Sequence, residues 1–309
     1  MIFEYTFNNY FRWGFQEGKP FSLLPDGPAD VKLWFDIKYG CVHRDLDTFR
    51  KESVRACEYI YEQAERAKLP VTLFISGGID SEAMVMAWLD SMLPFTCTTI
   101  EFEHGLNQHE VILAKKLCTL RGIEHRIIQI DPFKLWYNPP SWMKPYRIES
   151  GLIAAFLYGI DRSWNYFQVF AGNPVIKINR FAPNEPLMLA RKSMLAHTMM
   201  WLLHDHPSVS FFHMYSPEQM WHWLNDPLLR AWEKQFEGSQ IYEFDQVKTL
   251  FYQMHYPEIA FSRPKWTGIE GLTNHINDLA SHQWKDNRLF NPIARRPLAE
   301  VRAELKRFT

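Results

Sequence analysis

Residues 76–81 read Ser-Gly-Gly-Ile-Asp-Ser. They follow an apolar, β-branched run, Val71 to Ile75, and a segment with helical patterning begins at once after them. Two adjacent glycines permit positive φ and let a ligand approach the backbone closely. Consecutive N–H groups at the start of a helix form an anion-binding concavity, which the helix dipole reinforces. Ser76 and Ser81 add hydroxyl donors. The Asp80 carboxylate would repel a phosphate directly, yet it can hold a Mg2+ ion that bridges phosphates. Strand, cradle, helix and metal-holding acid suit one task, the gripping of a pyrophosphate. The Walker A spacing and the G-x-G-x-x-G pattern are both absent, and the turn holds no lysine. Gly, Ser and Asp are also ordinary turn residues. At an average usage of roughly 7% per residue type, however, five fixed positions coincide by chance about once in a million starts, so an ordinary turn is the poorer account.

The elements that must position this turn alternate along the chain. Asp45 to Lys68 patterns as a helix with an apolar stripe of Leu46, Phe49, Val54, Cys57, Ile60, Tyr61 and Ala64, closed by Leu69-Pro70. Strand 71–75 leads to helix 80–91, strand 96–102 to helix 107–121, and 122–130 is a third strand. A proline-rich connection precedes a helix over 149–164 and a strand over 166–172. Such alternation predicts an α/β fold with a parallel sheet and helices on both faces, binding ligands beyond the carboxyl ends of the strands, the edge where Ser76 to Ser81 lie. Residues 1–44 are aromatic-rich and broken by glycine and proline, with strand-like alternation over 31–40, and form a β-rich lead-in. From about 187 the pattern turns helical and Trp/His-rich, including 187–206, 216–236 and 242–256. The expected organisation is therefore 1–44, 45–186 and 187–309, the last a helical C-terminal region.

Composition narrows the function classes. A net charge of −1 over 309 residues lacks the basic surplus usual in proteins that live on nucleic-acid phosphates. No run of eighteen apolar residues predicts a membrane span. The first residues lack a signal-peptide pattern, so the expected location is the cytoplasm. Cys41, Cys57, Cys97 and Cys118 form no C-x-x-C pair, which argues for reduced, mostly buried thiols over a zinc ribbon or disulfide framework. His197, His204, His206 and His213 cluster without an obvious completing ligand set, and hydrogen-bonded histidines are the favoured reading over a metal site.

The motif S-G-G-I-D-S resembles the PP-loop, S-G-G-x-D-S, of the N-type ATP pyrophosphatases. A fainter resemblance to the asparagine synthetases of that superfamily extends over about 45–180: the helix before the motif, then Asn107, Glu110 and Ala114 after the second strand, then the segment 122–131. It implies an adenine nucleotide α-hydrolase-like domain that binds ATP and Mg2+ and cleaves the nucleotide between its α and β phosphates. AMP would go to a carboxyl, amide or carbonyl oxygen, pyrophosphate would leave, and a nitrogen nucleophile would displace AMP. Carried over, Ser76, Gly77, Gly78, Ile79 and Ser81 would cradle the pyrophosphate, Asp80 would hold Mg2+, and the strand edge Ile100, Glu101 and Phe102 would frame the adenine through backbone groups.

The chain departs from the asparagine-synthetase pattern in two places. The stretch 171–180 keeps Gly172 as a close-approach glycine but lacks the family's acidic pair, which puts a second metal ligand in doubt. Lys177 and Arg180 there either neutralise phosphate or belong to a solvated basic loop. No N-terminal cysteine nucleophile stands at the start, so the expected nitrogen source is free ammonia, an amine, or an ammonia-supplying partner. Arg263 and Lys265, in a non-periodic stretch with Trp266 and two glycines, are candidates to reach ATP or the acceptor; a surface turn capped by Pro264 is the plainer account. The expected acceptor is a small molecule or nucleotide, with a tRNA or DNA base as the rival, and a non-catalytic nucleotide-binding module as a third reading.

Overall fold

The computed structural model describes residues 3–7, 11–17, 31–37, 42, 44–138, 140–143, 151–172, 175–179, 182–191, 206–234, 244–259 and 292–305, with only the backbone course given for 3–37, 175–191 and 292–297. Three strands come first, β1 (Phe3–Phe7), β2 (Phe11–Glu17) and β3 (Val31–Ile37), paired antiparallel in that order. Helix α1 (Phe49–Ala67) begins four residues later than its pattern suggests. Thr48 is extended (φ −70°, ψ 153°) and its hydroxyl accepts from the Lys51 N–H at 3.3 Å, so the cap fixes the start. Lys68, in the left-handed region, ends it by returning its N–H to Ala64 and Glu65. The helix buries Phe49, Ala56, Cys57, Ile60 and Ala64, and also Glu52, whose carboxylate is held by the guanidinium groups of Arg44 and Arg55 and by the Asp47 N–H.

The strand–helix alternation follows as the sequence suggests: β4 (Val71–Phe74), α2 (Ile79–Ser91), β5 (Thr96–Phe102), α3 (Gln108–Arg121), β6 (His125–Ile130), α4 (Pro132–Tyr137), α5 (Gly151–Asp161) and β7 (Phe167–Phe170). After β8 (Val175–Asn179) and β9 (Ala182–Arg191), the short β10 (Ser208–Val209) returns to the same sheet. That sheet has five strands, all parallel, in the order β10-β7-β4-β5-β6. Every residue of β4 is buried, as expected for a central parallel strand covered on both faces. Connections from β4 run toward β5, and those from β7 run the other way to β10. The carboxyl ends of β4 and β7 therefore form the topological switch point, where open α/β sheets hold ligands. Phe74 and Phe170 stack across it with centroids 4.5 Å apart.

Two differences from the sequence reading have physical causes. Residues 187–191 are strand, not helix: Leu, Met and Ala favour a helix there, but pairing of β9 with β8 and with β11 (Pro292–Pro297) overrides propensity. The helical stretch 216–236 is two helices, α6 (Pro217–Asn225) and α7 (Pro227–Lys234), because Pro227 cannot continue the first and Asp226 Oδ1 accepts from the Leu228 N–H at 2.8 Å. Helices α8 (Phe244–His255) and α9 (Leu298–Glu304) follow later in the chain. Cys57, Cys97 and Cys118 are free and buried. Among the described residues no helix is long and apolar enough to cross a membrane.

Candidate functional site

The turn after β4 closes on itself. The Ser76 N–H donates to Ser81 Oγ at 3.2 Å, and the two hydroxyl oxygens lie 3.4 Å apart. The Ile75 N–H still pairs with the Thr98 carbonyl, so the turn is held to the sheet up to its first serine. Helix α2 starts with Gly78 as its N-cap, with no side chain capping it, and its first internal bond is Glu82 N–H to the Gly78 carbonyl. The N-terminal N–H groups at Ile79, Asp80 and Ser81 are thus left without a capping side chain, at the positive end of the helix.

The two glycines serve different purposes. Gly77 has φ +68°, and a Cβ there would stand 2.4 Å from the Glu110 carbonyl oxygen and 2.9 Å from Leu113 Cβ. Its requirement is packing of the turn onto α3, the helix that carries Glu110 and Ala114. Gly78 has ordinary extended dihedrals (φ −78°, ψ 162°), and a Cβ there would meet only Ser76 Oγ, at 3.4 Å. The fold itself leaves that position open.

Asp80 is the meeting point of three groups from the far part of the chain. Lys248 Nζ, on α8, bonds its Oδ2 at 2.7 Å; the lysine side chain is 8% exposed and the aspartate 24%. His213 Nε2 donates to the Asp80 carbonyl at 2.8 Å. Burial, only partly offset by Asp80, lowers the His213 pKa to about 4, so the ring is neutral and its proton sits on Nε2. Tyr252, one helical turn beyond Lys248, is fully buried; burial first, then the negative charge of Asp80, pushes its phenol upward. The remaining carboxylate oxygen, Asp80 Oδ1, is buried without a hydrogen-bond partner among the described residues, as are the Tyr252 hydroxyl and His213 Nδ1. An orphaned carboxylate oxygen beside an uncapped helix start fits a hard cation bound together with phosphate.

The other expected residues scatter. The Ile100 carbonyl and Phe102 N–H at the end of β5 are both taken by the Asn107 carboxamide, each at 2.8 Å, so these two backbone groups are already satisfied by the protein. Glu101 pairs with Lys115 at 3.5 Å. Gly172 (φ +46°) does make a close approach, but to the chain itself: a Cβ would lie 2.8 Å from the Ser210 carbonyl and 2.7 Å from Phe211 Cδ1. The segment it admits carries His213 beneath the turn, anchored by His213 N–H to the Ala171 carbonyl. Lys177 is on strand β8, not in a loop. Arg263 and Lys265 lie outside the described residues. His206 bonds Ser208 Oγ at 3.0 Å and the Trp164 carbonyl at 2.8 Å, while His197 and His204 also lie outside the described residues. Lys248, Tyr252 and His213 were not singled out for this site by sequence; the only available signal was the i, i+4 spacing of Lys248 and Tyr252 on one helix face.

The S-G-G-x-D-S turn stands at the switch point of a parallel sheet, ahead of an uncapped helix, as the resemblance to the PP-loop ATP pyrophosphatases implies, and residues 60–137, which contain it, match the family model described as asparagine synthase. Among curated proteins, the chain is similar to asparagine synthetase [glutamine-hydrolyzing] 1 of Bacillus subtilis (strain 168), 31% identical over 121 residues, covering 38% of this chain and 18% of that protein. The chain thus matches less than a fifth of that relative's length. Among solved structures it is similar to an NMN synthetase from Francisella tularensis (15% identity, TM-score 0.33, covering 71% of this chain and 100% of that one). It is also similar to an NH3-dependent NAD synthetase from Campylobacter jejuni (16% identity, TM-score 0.35, covering 76% and 95%).

Proposed function

We propose that the protein is a Mg2+- and ATP-dependent ligase that activates an oxygen of its acceptor as an AMP ester, releases pyrophosphate and admits a nitrogen nucleophile. The observation that carries this is the S-G-G-I-D-S turn, closed by Ser76 and Ser81, with open space over Gly78 and an uncapped helix start behind it. A leaving pyrophosphate is a polyanion, and preorganised N–H and hydroxyl donors stabilise its developing charge without reorganisation. In this reading Ser76, Gly77, Gly78, Ile79 and Ser81 bind the pyrophosphate. Asp80 would hold Mg2+, which would supply charge neutralisation at the phosphates; its Oδ1, buried without a hydrogen bond, is available for that purpose. His213 fixes the Asp80 backbone as a neutral donor. The asparagine-synthase match supports a carboxyl or amide acceptor with ammonia as the nitrogen donor, delivered free or by a partner. Lys177, Arg263 and Lys265 are proposed as phosphate- or acceptor-facing cations.

A second reading, a nucleotide-binding module without turnover, is favoured by one observation: Asp80 is already ion-paired with Lys248. Product analysis separates them. The protein is incubated with Mg·ATP and separate pools of amino acids with ammonia, nucleotides, bulk tRNA and DNA, beside an Asp80→Ala control. AMP and pyrophosphate appearing with one pool, and vanishing in the control, are the expected result. ADP as the product would refute the reading of the turn, and ATP binding without turnover in any pool would favour the module.

A further inference from the structure

Lys248 is unusual for its surroundings. Its ammonium is almost fully enclosed, it comes from a helix 168 residues beyond its partner, and it grips the one side chain in the turn suited to a metal. Enclosed lysines are rare unless paired, because removal from water penalises the charged form. Here the lysine pairs with Oδ2, while Oδ1 is buried without a hydrogen bond of its own, on a carboxylate that also faces the Tyr252 phenol. A divalent cation at Oδ1 would sit on the same small carboxylate as the ammonium, and the two positive charges would repel in a poorly hydrated setting. The phosphates of ATP bring enough negative charge to hold both.

We propose that Lys248 is a positioning residue that makes metal loading conditional on the nucleotide: its ammonium holds Asp80 in the nucleotide-free protein and competes with a divalent cation for that carboxylate, so the metal binds well only when it arrives with phosphates. The inference rests on the reading of Asp80 as the metal-holding acid. It adds what that reading lacks, a reason for the C-terminal helix α8 to touch the turn at all.

The test uses Mn2+ as the probe, titrated into the full chain without nucleotide and followed by the loss of its free paramagnetic resonance signal. Lys248→Met is expected to bind Mn2+ at least about tenfold more tightly than the wild type, and Lys248→Arg, which keeps the charge, to behave as the wild type. Circular dichroism establishes that each variant is folded before metal is added. Should Lys248→Met not fold, Lys248→Gln, which removes the charge but keeps an N–H donor for Oδ2, takes its place with the same expectation. Affinity unchanged or weakened in the folded charge-removing variant overturns the proposal. Asp80→Asn distinguishes the two levels. If it abolishes Mn2+ binding while the Lys248 variants stay as weak as wild type, only the role of Lys248 fails. If Asp80→Asn binds as well as wild type, the metal reading of Asp80 fails and the proposal with it.

Discussion

The two glycines of the turn should respond in opposite ways to the same substitution. Gly77→Ala places a Cβ 2.4 Å from a backbone oxygen of α3 and forces an L-residue to hold φ +68°. The left-handed conformation costs about 1–2 kcal/mol and the overpacking roughly another 1–3 kcal/mol, since a helix backbone cannot step aside as a flexible side chain would. Gly78→Ala keeps ordinary dihedrals and meets nothing closer than Ser76 Oγ at 3.4 Å. Loss of unfolded-state freedom favours the alanine by about 0.4–1 kcal/mol, and loss of a preferred N-cap residue opposes it by a similar amount, so the net change is near zero. Thermal unfolding should therefore fall by several degrees for Gly77→Ala, at roughly 2 °C per kcal/mol for a chain of this size, and hardly move for Gly78→Ala. Mg·ATP affinity, measured by calorimetric titration, should show the reverse priority: Gly78→Ala, though stable, should lose at least about tenfold, because its methyl group occupies the path of a phosphate to the N–H groups. A stable Gly78→Ala protein that binds Mg·ATP like the wild type would refute the assignment of that open space to the nucleotide.

Asn107→Ala strips the partners from the Ile100 carbonyl and Phe102 N–H, both buried, and should lower stability by about 1–3 kcal/mol in urea titration, and any adenine contact at that edge would tighten as these groups become free. Thr48→Ala removes the cap of α1 and should cost about 1 kcal/mol by the same measurement, with Thr48→Asp close to neutral. His255, packed on Phe49 and Phe251, is lowered by burial from its ordinary 6.5 to about 4. Its folded pKa lies below its unfolded one, so its contribution is intact above pH 6.5 and is lost as pH falls toward 4, where the unfolded chain takes up a proton that the native protein refuses. His255→Phe should flatten the stability–pH curve across that window by up to about 1.4 kcal/mol per pH unit, and an unchanged slope would show the ring to be hydrated.

Most of the sheet and the turn could be read from local pattern because both are local objects. Strand 96–102 matches its predicted span, and helices α2 and α3 begin within one residue of theirs, since the strand–helix alternation of the pattern marks them in sequence. What escaped is non-local or too short. The two residues of β10 show no period, and β9 carries helix-favouring residues whose state is decided by partners as distant as Pro292–Pro297. Asn107, Glu110 and Ala114 were legible only as a faint family likeness. Their purpose appears in three dimensions: Asn107 ties off the end of β5, while Glu110 and Ala114 form the surface on which Gly77 lies.

The site itself shows why sequence stops where it does. The S-G-G-I-D-S turn specifies a cradle and an acid, but that aspartate is held by groups far along the chain, its carboxylate by Lys248 and its backbone carbonyl by His213, 168 and 133 residues away. Gly172 carried a ligand-facing expectation because its context resembles a binding loop; in the structure its missing Cβ admits Ser210 and Phe211, and this lets His213 reach the Asp80 carbonyl. That glycine therefore acts on the turn at second hand, through the segment it lets pass. The same logic applies to Gly77, whose freedom serves packing, and leaves Gly78 as the one glycine of the turn that the protein's own packing does not require. A requirement for glycine at 78 then has to come from whatever approaches from outside, and an uncapped helix start beside it favours an anion.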